Sequence, residues 1–160
     1  MPFTSFLPHP LRALRIWLTA ACLFGAWAAQ AQTLANTSGL SFGSFVAGSG
    51  GTVTVTTDGA RNKTGGVMLV AQGGGGTAAQ FTSIAVATYA IITLPTDGTV
   101  LLSSGSNTMA VNSFMSYPSA TGILSGAGAQ ILRVGATLTV GNAQVPGSYA
   151  GSFAVTVNYN

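Results

Sequence analysis

The sequence predicts an all-β protein, an antiparallel β-sandwich that follows a cleaved N-terminal signal peptide. From Leu40 onward, short β-prone runs alternate with Gly, Asp-Gly or Pro-Gly breaks, and no apolar period of 3.6 residues persists for three turns. The 160 residues include only five basic and two acidic side chains, whereas about 25 % of an ordinary soluble domain is charged. This composition suits strands and tight turns better than solvated helices.

The N-terminus has the three parts of a secretory signal. Arg12 and Arg15 precede an uncharged stretch from Ile16 onward, and the small residues Ala29 and Ala31 match a cleavage site. The apolar stretch of fourteen residues is shorter than the roughly 20 residues that span a bilayer. A permanent membrane anchor is therefore the weaker alternative, and we expect the mature chain to begin near Gln32.

Cleavage after Ala31 gives three predicted regions: a signal peptide at 1–31, a short N-terminal extension at 32–39 and a β-sandwich domain at 40–160. The mature part has no Cys, His or Trp, and its three basic and two acidic side chains leave a net charge of +1. Neither a disulfide nor a nucleic-acid footprint is expected. The expected location is the periplasm, the cell surface or the extracellular medium, with no membrane attachment after cleavage.

Nine short strands are predicted between the breaks. They are Leu40–Val46, Thr52–Thr57, Gly66–Ala71, Ala79–Val86, Tyr89–Leu94, Thr99–Leu102, Thr108–Phe114, Gln130–Val140 and Ser148–Tyr159. Asp58-Gly59 and Asp97-Gly98 supply residues that tolerate positive φ where a hairpin reverses. The glycine run from Gly73 to Gly76 is expected to be a loop.

Two of these strands alternate clearly enough to assign their faces. In Gln130–Val140, the apolar residues at every second position from Leu132 onward are expected to face the core. The C-terminal strand carries the strongest such pattern, although Gly151 interrupts it. Its predicted inward side chains are Tyr149, Phe153, Val155, Val157 and Tyr159.

The sequence predicts no enzyme, no cofactor and no metal site. General acid–base catalysis needs a group that titrates near neutrality or a pair of carboxylates, and only Asp58 and Asp97 are present, both assigned to turns. A serine nucleophile would have only Lys63 as its base, in a stretch that is expected to be an exposed loop. Transition metals would lack His and Cys ligands in the mature chain, and calcium would have at most two carboxylates.

Sugar binding is the alternative kind of site. Most aromatic residues fall at core-like strand positions, and Tyr117, beside Pro118, is the obvious exposed candidate. One aromatic ring without acidic or amide partners would make a poor sugar site.

Several motifs, in order along the chain, resemble domain-of-unknown-function family 4402, a family of secreted bacterial domains. The motifs are Leu40-Ser41-Phe42-Gly43, Gly51-Thr52-Val53-Thr54-Val55, Thr64-Gly65-Gly66-Val67, Ile92-Thr93-Leu94-Pro95, Gly135-Ala136-Thr137-Leu138 and Gly147-Ser148-Tyr149. The resemblance spans about Leu40 to Asn160. The ending is also similar to that of chaperone–usher pilins, so the expected sandwich is Ig-like or pilin-like.

The similarity to pilins implies a role for the last strand. In pilins a glycine fourteenth from the end and a penultimate aromatic flank an alternating strand, and Gly147 and Tyr159 hold those places here. The resemblance implies that this strand borders a groove left by a missing strand, which a periplasmic chaperone and then a neighbouring subunit fill at an outer-membrane usher. The implied recognition residues are Gly147, Phe153, Val155, Val157 and Tyr159.

The sequence departs from the pilin pattern at its N-terminus and lacks the usual disulfide. Only Gln32 to Gly39 precedes the first predicted strand, and Leu34 is its one large apolar residue. This chain would then accept a strand without donating one, or would complete itself. The leading hypothesis is an exported, non-catalytic fimbrial or cell-surface assembly subunit joined by β-strand addition, with self-assembly as one outcome. The alternative is a monomeric secreted binding or matrix protein.

Overall fold

A computed structural model describes residues 34–70, 75–84, 90–119, 121–122 and 129–159. These residues form twelve strands and no helix, which confirms the all-β prediction. They contain no helix of the length and hydropathy needed to cross a bilayer. The strands are β1 (Leu34–Ser38), β2 (Phe45–Val46), β3 (Gly51–Val55), β4 (Arg61–Gly65), β5 (Met68–Leu69), β6 (Ala79–Ile84), β7 (Ala90–Thr93), β8 (Val100–Ser104), β9 (Asn107–Tyr117), β10 (Thr121–Gly122), β11 (Ala129–Val140) and β12 (Thr156–Tyr159).

Strand β11 is the centre of the main antiparallel sheet. Its first half pairs with β6 and its second half with β3, while residues of both halves also pair with β9. A residue pairs with only one strand at each edge, so β6 and β3 share one edge of β11 and β9 occupies the other. Beyond these strands lie β1, next to β6; β4, next to β3; and β8, next to β9.

Two smaller sheets complete the pairing in the described part of the chain. The first has the order β10-β7-β12 and the second pairs β2 with β5, all antiparallel. We call residues 143–159 the C-terminal segment. It ends in a different sheet from β11. Single antiparallel bridges join Ser41 to Thr77 and Ser103 to Ala150.

The core consists of two apolar clusters on the inward face of β11. Alternate residues of this strand, from Leu132 to Val140, are all at most 3 % exposed, which confirms the predicted face. The larger cluster surrounds Leu138 and the smaller one surrounds Leu132. Half-buried Leu40, Phe114 and Phe153 pack against both clusters, so they join the two parts of the interior.

All nine predicted strands overlap observed ones, but β1, β4 and β10 were not predicted. Lys63 is exposed as expected, but the expectation of a loop is wrong, because Arg61–Gly65 pairs with β3. Both Asp-Gly pairs lie in turns with positive φ at the glycine, 87° at Gly59 and 78° at Gly98. Only the first is the predicted hairpin, between β3 and β4, because β7 and β8 on either side of the second belong to different sheets. The signal peptide, its cleavage residues and the first half of the glycine run lie outside the described residues.

Candidate functional site: a groove beside the C-terminal segment

The residues before β12 keep the alternation of a strand without the pairing of one. Phe153 and Val155 are half-buried, whereas Ser152 and Ala154 are exposed. Ala150 exchanges two backbone hydrogen bonds with Ser103, of 2.8 and 3.0 Å. From Gly151 to Ala154, no backbone hydrogen bond reaches another described residue. Four consecutive residues thus offer donors and acceptors to water or to an added strand.

A groove with a volume of about 1080 Å³ lies along the residues that precede the stretch Gly151–Ala154 and reaches this stretch at Gly151. One wall is the continuous stretch Leu40–Gly48 and the other is Ala143–Gly151, while Leu102, Met109 and Leu138 form the floor. Met109 and Leu138 belong to the larger core cluster, and Leu102 packs against it. The groove therefore opens directly onto the apolar interior. We call it the C-terminal groove.

A smaller cleft of about 200 Å³ continues along the same segment. It shares Leu40 and Gly151 with the C-terminal groove, and its further lining includes Phe81 and Phe153. The ring of Phe153 packs edge-on against Phe81, with ring centroids 6.4 Å apart, and lies 5.2 Å from the ring of Phe114. The groove and the cleft together follow the C-terminal segment from Ala143 to Phe153.

Arg61 ties the first wall to the main sheet. Its guanidinium donates hydrogen bonds to the carbonyl oxygens of Phe42 and Ser44, both at 3.1 Å, and of Val70, at 3.0 Å. Two segments that line or adjoin the groove are thereby held by one planar, fork-shaped donor on β4. Because these Arg61 donors bond to backbone carbonyl oxygens, we assign Arg61 a positioning role for the Leu40–Gly48 wall.

The second wall is ordered by a small hydrogen-bond network around Tyr149. The phenol donates to the carbonyl of Val145 at 2.7 Å and accepts from the amide of Gln144 at 2.9 Å. The same amide donates to the carbonyl of Thr108 at 3.3 Å. The loop after β11 is thus tied to β9, and the Tyr149 ring packs against the core from the side of the groove.

Two glycines let the second wall approach β8 closely. A Cβ on Gly151 would lie 2.5 Å from the carbonyl oxygen of Leu101, and a Cβ on Gly147 would lie 2.6 Å from Oγ of Ser104. The first contact is with rigid backbone, so Gly151 is the more demanding position. The interruption of the alternating pattern at Gly151 thus has a packing reason.

The structure brings most of the predicted recognition residues to this region. Phe153 lines the cleft, and Val155 and Val157 pack against the smaller cluster. Gly147 is exposed and lines the groove. The backbone of Tyr159 pairs with Ala90 in β7, but its side chain lies outside the description.

Sequence reasoning missed the opposite wall. Nothing in the local pattern of Leu40–Gly48 indicates that it faces the C-terminus, more than 90 residues away along the chain. Phe42 and Phe45 could have been assigned to the core from their hydrophobicity alone. Arg61 gave no signal, because its partners are backbone carbonyls that any residue could supply.

The acidic side chains are engaged in turns. The Asp58 carboxylate accepts hydrogen bonds from the Thr56 hydroxyl and from the Ala60 backbone N–H, and these bonds lower its pKa below the ordinary value of 3.8. The Asp97 carboxylate accepts a hydrogen bond from the backbone N–H of Ser113 at 2.6 Å. Ser113 has a φ of 49° and lies where the register between β9 and β11 shifts, so this bond stabilises a bulge in β9. Within the described residues, no group of three His, Cys, Asp or Glu side chains is placed to hold a metal ion.

The fold and groove define an all-β domain whose residues 151–154 form no ladder with the other described residues. Residues 33–159 match the family described as a domain of unknown function, DUF4402. The chain belongs to this family, which confirms the resemblance noted in its motifs. No curated protein and no solved structure gives a significant match.

Proposed function

We propose that this protein is an exported, non-catalytic structural subunit of a fimbrial or other cell-surface assembly, joined to its neighbours by β-strand addition. The observation that carries the proposal is the backbone of Gly151–Ala154, which makes no hydrogen bond to another described residue. Gly151 lines both the C-terminal groove and the smaller cleft, and Ser152 and Phe153 line the cleft. An extended strand needs both features, because backbone pairing provides strength and alternate pockets determine register.

The added strand would lie between the two walls of the C-terminal groove. Its backbone would pair along the C-terminal segment, and every second side chain would point to Leu102, Met109 and Leu138. Each square ångström of apolar surface removed from water contributes about 25 cal/mol. The groove volume lies at the upper end of the roughly 300–1,000 Å³ typical of small-molecule pockets, and its two long walls suit a chain segment.

The partners in this proposal are a periplasmic chaperone that first occupies the groove and an outer-membrane usher that exchanges it for a neighbouring subunit. Self-assembly would follow if another copy supplied the strand. The proposed route requires export, so the proposed location is the periplasm and then the cell surface. The similarity of Gly147 and the final alternating strand to pilin endings supports this order of events.

The test supplies the strand as a peptide. The full chain is expressed, purified after export, and mixed with a ten-residue peptide that alternates Val or Ile with Thr or Ser. We expect a rise in Tm of several degrees and slower amide exchange at Gly151–Ala154, measured by mass spectrometry. The matched control is the same peptide with N-methyl groups on alternate amides, because it keeps the side chains and loses the donors of one edge.

Two N-methylated peptides, one for each set of alternate amides, separate pairing from simple apolar contact. Only the peptide methylated on its pairing edge should lose the effect. If Gly151–Ala154 are already protected in the purified protein, and neither Tm nor exchange responds to the unmodified peptide, the chain is a complete sandwich. The proposal of strand addition is then wrong.

A further inference from the structure

The outward face of the main sheet has two contrasting ends. Around β3, β4 and the second half of β11, polar side chains satisfy one another. Thr52 and Thr64 hydroxyls lie 2.7 Å apart, those of Thr54 and Thr137 lie 2.9 Å apart, and the Asn112 amide donates to the Thr139 hydroxyl at 3.1 Å. At this end, several polar side chains are therefore bonded to one another.

At the other end, one row of side chains crosses three strands. Tyr117 on β9 is opposite Arg133 on β11, which is opposite Gln80 on β6. Registered partners share a face, and neighbouring strands lie about 4.8 Å apart, so the row spans about 10 Å. Tyr117 is 64 % exposed, and Ile131, on the same face of β11, is 46 % exposed.

The polar groups of this row are not used by the fold. Within the described residues, neither the Arg133 guanidinium nor the Gln80 side-chain amide makes a hydrogen bond or an ion pair. Arg61 differs from Arg133, because the Arg61 guanidinium donates hydrogen bonds to three backbone carbonyl oxygens. Both acidic side chains of the described part are engaged in turns. Among the described residues, no acidic side chain compensates the positive charge of Arg133, which lies opposite the exposed ring of Tyr117.

We propose that Tyr117, Arg133 and Gln80 form a binding site for a saccharide that carries a carboxylate. The phenol ring offers a flat apolar surface for the C–H face of a sugar ring. The guanidinium can hold the carboxylate through two parallel hydrogen bonds. The Gln80 amide can donate to, and accept from, sugar hydroxyls. From the sequence alone, Tyr117 was an exposed aromatic residue without neighbouring polar groups. The sheet register places Arg133 and Gln80 in the same row.

This site is separate from the C-terminal groove. Leu132 and Val134, which alternate with Arg133 along β11, point to the opposite face and are fully buried in the core. The proposals of strand addition and of saccharide binding therefore depend on different residues, and either one can be disproved without the other. A surface subunit with this site would attach an assembly to acidic polysaccharide.

The experiment titrates the exported protein with hexagalacturonate and follows amide shifts by NMR. We expect saturable shifts centred on Tyr117, Arg133 and Gln80, with affinity at least tenfold higher than for uncharged maltohexaose. Tyr117→Ala and Arg133→Gln should each weaken binding at least tenfold, and Arg133→Lys should weaken it less. Leu101→Ala is the matched control, because Leu101 is also an exposed apolar residue of this sheet, at 50 %, and should bind like the parent.

Other outcomes overturn the proposal. The first is the absence of amide shifts at 10 mM hexagalacturonate. The second is equal binding of hexaglutamate, which would show that the site attracts any anion. The third is unchanged affinity in both the Tyr117 and Arg133 variants. Because both side chains are exposed, thermal melting of each variant should match the parent. A loss of binding therefore cannot come from unfolding.

Discussion

Strand β11 and the C-terminal segment have similar sequences and different surroundings. Both contain alternating apolar residues, and in both one alternate set of apolar side chains faces the interior. Strand β11 is paired along both edges, with β6 and β3 on one side and β9 on the other. The C-terminal segment is bridged at Ala150 and forms a ladder only from Thr156 onward. The inward valines of β11 are fully buried, whereas Val155 remains half-buried.

The comparison shows that an alternating sequence pattern predicts the inward face of a strand but not its backbone pairing. Alternation determines which side chains face the core, because successive residues point to opposite faces. It does not determine whether a neighbouring strand is present. The C-terminal segment therefore has the face of an interior strand, while its residues 151–154 form no ladder with the described strands. The proposed strand addition depends on this combination.

The largest expected effect tests the shared property, the inward face. Val155→Asp combined with Val157→Asp should prevent folding, because each carboxylate would be forced against the smaller core cluster without a partner. We expect no protease-resistant protein after export and no β signal by circular dichroism.

The control places the same two charges on the other side of the segment. Ala154→Asp with Thr156→Asp occupies exposed positions and should fold with a Tm within a few degrees of the parent. A folded Val155/Val157 double variant would show that the assigned face is wrong.

The second prediction tests the difference in burial with one substitution at two sites. Val134→Ala in β11 should lower the free energy of unfolding by about 2–3 kcal/mol, because two methyl groups leave a closed interior. Val155→Ala should cost less, since Val155 is only partly buried whereas Val134 is fully buried. Urea denaturation measures both.

Adding the alternating peptide is a control for this pair. An added strand would occupy the C-terminal groove, whose lining includes neither Val155 nor Val134, so the cost of each substitution should stay the same when the peptide is present. Equal losses at the two sites without peptide would contradict the proposed difference.

The smallest expected effect concerns the close approach of the C-terminal segment to β8. Gly151→Ala should destabilise by about 1–2 kcal/mol, because its Cβ would lie 2.5 Å from the carbonyl oxygen of Leu101. Amide exchange at Ser103 and Ala150 should become faster. The control is Gly39→Ala, where no atom lies within 4 Å of the added Cβ, and its stability should change by less than about 0.5 kcal/mol. An unaffected Gly151 variant would show that the bridge at Ala150 tolerates displacement.

Much of the fold could be predicted from local patterns. The inward face of β11, the alternation of the C-terminal segment and the turns at Gly59 and Gly98 all follow from side-chain period or backbone freedom. Strand β4 was missed because Arg61–Gly65 is polar and shows no apolar alternation; it is a strand because β3 supplies its hydrogen bonds. Strand β1 was missed for the same reason, since its pairing with β6 involves few apolar side chains.

The candidate sites divide in the same way. Phe153, Val155 and Val157 were identified as one face of a strand, and that face is where the structure places them. The opposite wall of the groove, its anchoring by Arg61 and the row from Tyr117 to Gln80 could not be found along the chain. Arg133 and Gln80 are more than 50 positions apart and become neighbours only through the register of β11 and β6.

The sequence by itself determined that this chain is all-β, where most of its strands lie and which side chains they turn inward. These properties depend on residues a few positions apart, and their physical basis is the two-residue period of a strand and the special backbone angles of turns. Only the tertiary structure decided which strands are neighbours, which backbone stays unpaired and which surface groups meet. Those outcomes depend on contacts between distant segments, and many sequences with the same local pattern could pair differently.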